Sequence, residues 1–526
     1  MKCPIIFVLL LFTLVSVRCT RTTSKDNDNT GRTGDSDSTS NVTPSAVTMD
    51  LFIGANAFVD DPIDRMAAVG FIREYHLWQW DEGNGDANYP PYPNNKIQWS
   101  PSATGWDFDE FYKSVKAAGL EIAPCLQGAA PWLQHKGNKF PENDKPVDMP
   151  SSSTTNPQSY KARAHYLFQF AARYGAKQVN PDLLTLAANQ QKVSGLKLVN
   201  YIEDWNEPDR YWEGPAAQFS PEEYAAMISA DYDGHGNQLK DGTFGIKNAD
   251  PTVKMAMSGL TSINTEYIDK MRAWFKNNRP DGKFPIDAIN VHVYAWKNGE
   301  DWQGGGPAIS PEDAKFKEQA QALTNYRNKY LANVEVWISE FGWDTNPNSV
   351  LSPPTIGPFD RQEVQAQWLL RAYLAFAAAG VDRAQMYMLR DVDPNDEQWF
   401  SSSGLVSQKG QWEPKKSWYY VYTMKNALKN MVFLGEMPSS DANILIYKFK
   451  KANSDEGTYV IWAKTSKNYT HKNYSLSLAG AAETATAIEP IAGKTAGNTT
   501  NLTISNSQVN VNVSEKPLFV KVNHME

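Results

Sequence analysis

Between Leu51 and Asn430 the chain changes period eight times, from apolar β-rich runs to segments with helical spacing and back. The β-rich runs are LFIGANAF, FIREYHLWQW, LEIAPCL, KLVNYIEDWNEP, VKMAMSGL, AINVHVYAW, VEVWISEFGWD and AQMYMLRD. Helix signals stand between them. Asp61 can cap a first helix with Pro62 in its opening turn and Gly70 as its stop. Asp107 and Glu110 form a capping box ahead of Phe108, Phe111, Tyr112 and Val115, which share one helical face. Ser220, Pro221 and Glu223 open another helix. A doubly wound sheet can be built from such a pattern, but eight regular cycles fit a closed (β/α)8 barrel better.

The connections are unequal in a way that orients such a barrel. Gly70–Phe71, Gly119–Leu120 and Gly380–Val381 pass from helix to strand with no intervening loop. Strand-to-helix segments are long, as in DEGNGDANYPPYPNNKIQWSPSATG after the second strand and DTNPNSVLSPPTIGPF after the seventh. Long loops carry function more often than short ones, and in this architecture they build the C-terminal face. The barrel is expected over residues 49–430. Beyond it, short alternating runs such as GTYVIWAKT and LTISNSQVNVNV predict a β-sandwich over 431–526, which either braces the barrel or binds carbohydrate.

The N-terminus, MKCPIIFVLLLFTLVSVRC, has the basic start and short apolar run of a secretory signal over residues 1–19. Cys19 stands where a bacterial lipoprotein is lipidated, although Ser-Val-Arg departs from the usual preceding residues, so anchored and free forms both remain open. Residues 20–48 read as a polar tether, and a secreted or cell-surface location follows, including that of a bacterial outer-membrane lipoprotein. A net charge of −8 and the lack of a basic stripe argue against a nucleic-acid partner. Apart from the N-terminal anchor no membrane contact is expected, and the protein is read as a monomer. Among its few cysteines Cys125 lies in the barrel, so no disulfide framework is expected.

Two carboxylates end strands on opposite arcs of the predicted ring: Glu207 in WNEP on the fourth and Glu340 in VWISEFGW on the seventh. A charge at a strand end is costly when merely buried, but useful where a proton must move. Glycoside hydrolysis needs two such groups, one to protonate the leaving oxygen and one to attack or to activate water. No histidine cluster with metal-ligand spacing is evident, so neither metal nor cofactor is expected.

Taken in order, YIEDWNEPDRYWEG, IREYH, HVY, the strand-seven glutamate and MYMLRDVDP with SSGLVSQKGQWEPKKSWYY resemble the clan A retaining glycoside hydrolases over residues 51–430. The first is similar to the β-xylosidase and α-iduronidase family and its cellulase-like relatives. The resemblance implies Glu207 as acid/base and Glu340 as nucleophile on a carbohydrate substrate. It implies Asn206 on the sugar 2-hydroxyl, Tyr294 and Arg73 holding Glu340 ionised, and His292 on the face of Tyr294. His76, Trp78, Trp80, Trp132, Trp212, Trp296 and Trp343 are candidate sugar contacts. Arg73 could instead pair with Glu203, and His292 could be a satisfied core histidine. Asp204 stands where an apolar residue is more usual, and strand eight offers Tyr387 and Arg390 where a Trp is common, with Trp399 as a replacement from the loop. A glycan-binding protein that has lost catalysis is the alternative function.

Overall fold

A computed structural model describes residues 45–82, 96–135, 145–147, 153–295, 297 and 308–526. The expected signal, Cys19, residues 20–44 of the tether and Trp296 lie outside the described residues. Eight parallel strands close in chain order: β1 (Ile53–Ala57), β2 (Phe71–Leu77), β3 (Glu121–Gln127), β4 (Tyr201–Asp204), β5 (Lys254–Met257), β6 (Ala288–His292), β7 (Glu335–Glu340) and β8 (Arg383–Met386). β8 returns to β1 with Gly54 opposite Gln385. The sequence cycles therefore do close into a (β/α)8 barrel.

Local chemistry explains the helix boundaries. Asp107 accepts the Glu110 N–H at 3.0 Å, and Ser220 with Glu223 makes a reciprocal capping box. Gly119 ends its helix in the left-handed region at φ +74°, two residues before β3, which is how helix meets strand without a loop. The first helix differs from expectation. It covers only Ile63–Met66 and Pro62 caps it, because the Asp61 carboxylate instead accepts the Phe58 N–H and pairs with Arg390.

Alternation along the strands sorts the barrel interior into layers. Phe71, Ala123, Tyr201, Ala256, Ala288 and Trp337 plug the N-terminal end. Arg383 lies 4.3 Å from the Phe71 ring and 4.7 Å from Tyr201. Above this plug the inward positions turn polar, with Asn56, Arg73, Glu203 and Asn290 all fully enclosed.

The C-terminal strands form a six-stranded antiparallel sheet and a two-stranded one. Strand Ile444–Lys451 divides its side chains by parity. Ile444 and Ile446 pack with Tyr474, Leu476 and Val511 between the two sheets, while Tyr447 and Phe449 join the barrel core. Trp462 donates its indole N–H to Glu312 Oε1 at 2.9 Å. Glu312 pairs with Arg371 of the barrel helix Arg361–Ala378, and Arg371 donates back to the Thr465 carbonyl at 3.0 Å. No helix among the described residues is long and apolar enough to cross a membrane.

Candidate active site

The inward face of β2 supplies Arg73, which organises the floor of the barrel mouth. Its Nε lies 2.5 Å from Glu203 Oε2 and its Nη2 2.9 Å from Glu203 Oε1. Its Nη1 reaches Asn56 Oδ1 and Glu340 Oε1, both at 2.8 Å, and Nη2 reaches Asn206 Oδ1, also at 2.8 Å. Arg73 thus does both things the sequence offered as alternatives. It pairs with Glu203 and also holds Glu340.

Glu340 arrives through an irregularity in the β6–β7 ladder. Val291 pairs with Ile338, but His292 pairs with Glu340, so Ser339 is the extra residue. Two tyrosines then aim the carboxylate. Tyr294 donates to Oε2 at 3.0 Å and Tyr75 donates to Oε1. Burial pushes the Glu340 carboxyl up, but His292, Arg73 and both tyrosine hydroxyls outweigh it and hold it below its usual range. Burial and the Glu340 charge push the Tyr75 and Tyr294 phenols well above theirs, so both remain donors.

Glu207 follows β4 on a turn in which Trp205 has φ +86° and Glu207 itself φ +47°. Such values are unfavourable for bulky side chains and are found where surrounding contacts over-determine the backbone. The Glu207 N–H donates to the Gly259 carbonyl at 3.2 Å. His292 Nδ1 stands 2.8 Å from Glu207 Oε1 and 3.5 Å from Glu340 Oε2, with its Nε2 3.1 Å from Ser339 Oγ. Burial pulls the imidazole down, yet the Glu340 charge and the Glu207 hydrogen bond and charge raise it overall. His292 fits there only because residue 259 lacks a side chain: a Cβ on Gly259 would lie 2.1 Å from Nε2.

Glu207, His292 and Glu340 present ligand atoms within 4.8 Å of one another. The set suits proton handling better than a cation. Both Glu340 oxygens already accept hydrogen bonds, and the Arg73 guanidinium occupies the place of a counter-charge. The Glu207 side chain keeps 20% of its exposure against 7% for Glu340, so the carboxyl within the WNEP motif is the more open to solvent.

Around this pair stands an aromatic wall. Phe58 stacks on Tyr75 at 5.8 Å, Tyr75 meets Tyr387 edge-on at 6.2 Å, and Phe400 lies 5.3 Å from Tyr387 and 5.0 Å from Tyr294. Phe400, with φ +68°, is thus the loop aromatic that reaches the strand-eight side. Trp399 has its ring 6.4 Å from that of Phe400.

Several expected sugar contacts are placed elsewhere. His76 has the opposite strand parity to Arg73 and sits outside the barrel, fully buried between Asp81, Glu74 and the Tyr112 hydroxyl. Those two carboxylates overcome the effect of burial and raise its imidazole to about 10. Trp78 and Trp132 are enclosed, and both donate their indole N–H to Glu82. Trp343 packs against Trp368 and donates to the Ile309 carbonyl. Trp80 rests near His76 and Phe108, while Trp212 is exposed on the turn Tyr211–Glu213. Residues the sequence reading passed over are Tyr75, Asn56, Ser339 and Phe400. Of these, Tyr75 was signalled by its spacing of two from Arg73.

No family model matches the chain, and no curated protein matches it. Solved structures do share the fold. A family 39 glycoside hydrolase from the gut symbiont Bacteroides cellulosilyticus WH2 aligns with a TM-score of 0.56 at 16% identity, over 90% of this chain and 81% of that one. A glucosidase from Croceicoccus marinus gives 0.55 at 12% identity, over 92% and 98%. A family 30 endoxylanase from Clostridium papyrosolvens C71 gives 0.53 at 9% identity, again over 92% and 98%. At these identities the likeness is one of fold.

Proposed function

We propose that the protein is a retaining glycoside hydrolase that cleaves β-glycosidic bonds in a polysaccharide or oligosaccharide through Glu207 and Glu340. One observation carries the reading: oxygens of the two carboxyl groups lie within 4.8 Å across the barrel mouth. Carboxyl groups in retaining enzymes stand about 5–5.5 Å apart, whereas inverting enzymes leave about 6.5–9.5 Å for a water between them. The environments also differ in the required sense. Glu340 is held ionised, as a nucleophile must be, and Glu207 is the more exposed group, able to meet a leaving oxygen and later a water.

In the first half-reaction Glu340 attacks the anomeric carbon while Glu207 gives its proton to the departing oxygen. In the second, Glu207 takes a proton from water, which displaces Glu340 from the sugar. Asn206 is turned by Arg73 so that its amide NH2 is left to donate, which suits a bond to the 2-hydroxyl that tightens in the transition state. The solved structures of like fold include a family 39 glycoside hydrolase, a glucosidase and an endoxylanase, and the reading agrees with all three.

The test pairs an activated aryl β-glycoside with a natural glycan. Glu207→Ala should retain a fast burst on the aryl substrate, accumulate an adduct on Glu340 visible by intact mass, and lose glycan turnover. Glu340→Ala should lose both by several powers of ten, since acid/base help alone contributes about 10²–10⁴. Inverted configuration in the first-formed sugar, or an adduct in Glu340→Ala, would overturn the assignment. We also propose that the chain is exported through its signal-like N-terminus. Full-length protein that keeps Met1 and fractionates with cytosol would contradict this, and release from membranes by Cys19→Ala would identify a lipid anchor.

A further inference from the structure

Asp204, the acid that stands in an unusual place before Trp205, is the last residue of β4 and faces outward, away from Glu203 and Arg73. There it enters a fully buried group with Arg163 of the helix Lys161–Tyr174 and Asp231 of the helix Pro221–Asn237. Arg163 Nη2 lies 2.6 Å from Asp204 Oδ1, and its Nε lies 2.9 Å from Asp231 Oδ2. One guanidinium therefore faces two carboxyl groups in a dry interior. With both acids ionised the group would hold an uncompensated negative charge, a costly state away from water. Asp204 Oδ2 and Asp231 Oδ1 are moreover the two carboxylate oxygens of this group without a partner, and the two carboxyls lie within hydrogen-bonding reach of each other.

We propose that Asp204 and Asp231 share a single proton against Arg163, and that this neutral clamp makes Asp204 a positioning residue for Glu207. A proton between Oδ2 and Oδ1 satisfies both orphaned oxygens and balances the charge in one step. Burial drives both acids upward, Asp231 well above its ordinary range, as sharing requires.

The clamp acts directly on the backbone that carries the site. Arg163 Nη2 also donates to the Leu126 carbonyl at 2.7 Å, the same oxygen that accepts the Trp205 N–H at 3.1 Å. Its guanidinium lies 5.0 Å from the Trp205 ring. The Asp204 carbonyl accepts from the Tyr224 hydroxyl at 2.6 Å, and that hydroxyl accepts the Ser258 N–H at 2.7 Å. Strands β3, β4 and β5 and two helices are thereby tied around the residue preceding the left-handed Trp205 and Glu207. Removing the clamp removes what holds that turn.

Isosteric variants separate a shared proton from two independent ion pairs. In Asp204→Asn, and equally in Asp231→Asn, the amide donates where the proton was and one carboxylate still balances Arg163. Each single variant should keep its Tm near wild type and its turnover within about threefold. The double variant leaves Arg163 without a counter-charge, so its Tm should fall by several degrees. Its glycan turnover should drop on the order of 10²-fold, with a much smaller loss in the burst on an aryl glycoside, whose departure needs no acid. A single variant as damaged as the double would refute proton sharing. An aryl burst slowed as much as glycan turnover, or a double variant as active as the singles, would refute positioning. The effect on turnover rests on Glu207 as acid/base, whereas the Tm series does not. Wild-type protein inert on every glycoside would therefore count against the proposed function and leave the clamp to be decided by stability.

Discussion

The hydroxyl of Tyr75 donates to Oε1 of Glu340 from the opposite side of the barrel, two residues along β2 from Arg73. A hydrogen bond given to the ionised form of an acid stabilises that form. Tyr75→Phe should therefore raise the Glu340 pKa and move the acid limb of the kcat/KM profile to higher pH. The loss at the optimum should be about 10–100-fold. An aryl glycoside pH profile measures it, and an unmoved acid limb would remove Tyr75 from the support of Glu340.

A second expectation concerns the missing side chain at residue 259. Gly259→Ala puts a methyl where His292 now lies, so the imidazole must leave Glu207. Activity should fall by roughly 10²-fold with the fold retained. In a His292→Ala background the same methyl should cost far less, because only the Ser339 hydroxyl, 2.8 Å from that position, still has to turn aside. A double-mutant cycle reads this, and additive losses would show that the two residues do not compete for one volume.

Outside the barrel, His76 stands between Glu74 and Asp81 with its pKa raised from 6.5 to about 10. A raised folded-state value means the histidine stabilises fully below about pH 6.5 and loses that contribution as pH rises through about 10. His76→Gln should lower stability by about 3–5 kcal/mol in mildly acidic buffer. Urea titrations at several pH values should show the gap between wild type and variant closing as the solution is made alkaline. A constant gap would mean that His76 is not charged in the folded protein.

Glu312 sits between Trp462 of the sandwich and Arg371 of the barrel, whose side chain is fully buried. Glu312→Gln leaves that guanidinium uncompensated and should cost about 3 kcal/mol. Because Tyr447, Phe449 and Trp462 belong to the barrel's own core, the chain should still unfold in one transition. Circular dichroism and tryptophan fluorescence followed together in denaturant would check this, and two separated transitions would contradict it.

The strand cycles, the lopsided connections and the two glutamates at facing strand ends were legible in the sequence because periodicity and punctuation encode them directly. Direction within a strand was equally encoded at β2, where a period of two puts Tyr75 with Arg73 and turns His76 away. Tryptophan richness carries no such direction. Trp78, Trp132 and Trp343 have the composition of a sugar platform, yet their indole N–H groups are satisfied inside the wall. Glu340 depends on an irregular ladder and Phe400 on a long loop, and neither leaves a periodic trace.

The brace between Glu312, Arg371 and Trp462 has a consequence for lineage and for engineering. A barrel grafted onto a foreign C-terminal domain would keep the Arg371–Glu312 pair but lose the Trp462 indole and the Thr465 carbonyl that complete its hydrogen bonds, and would bare the apolar surface that Tyr447 and Phe449 cover. The two halves should therefore resist shuffling. Chimeras cut near residue 430 should express poorly unless the new domain supplies the equivalents of Trp462 and the Thr465 carbonyl, which makes barrel and sandwich together the transplantable unit.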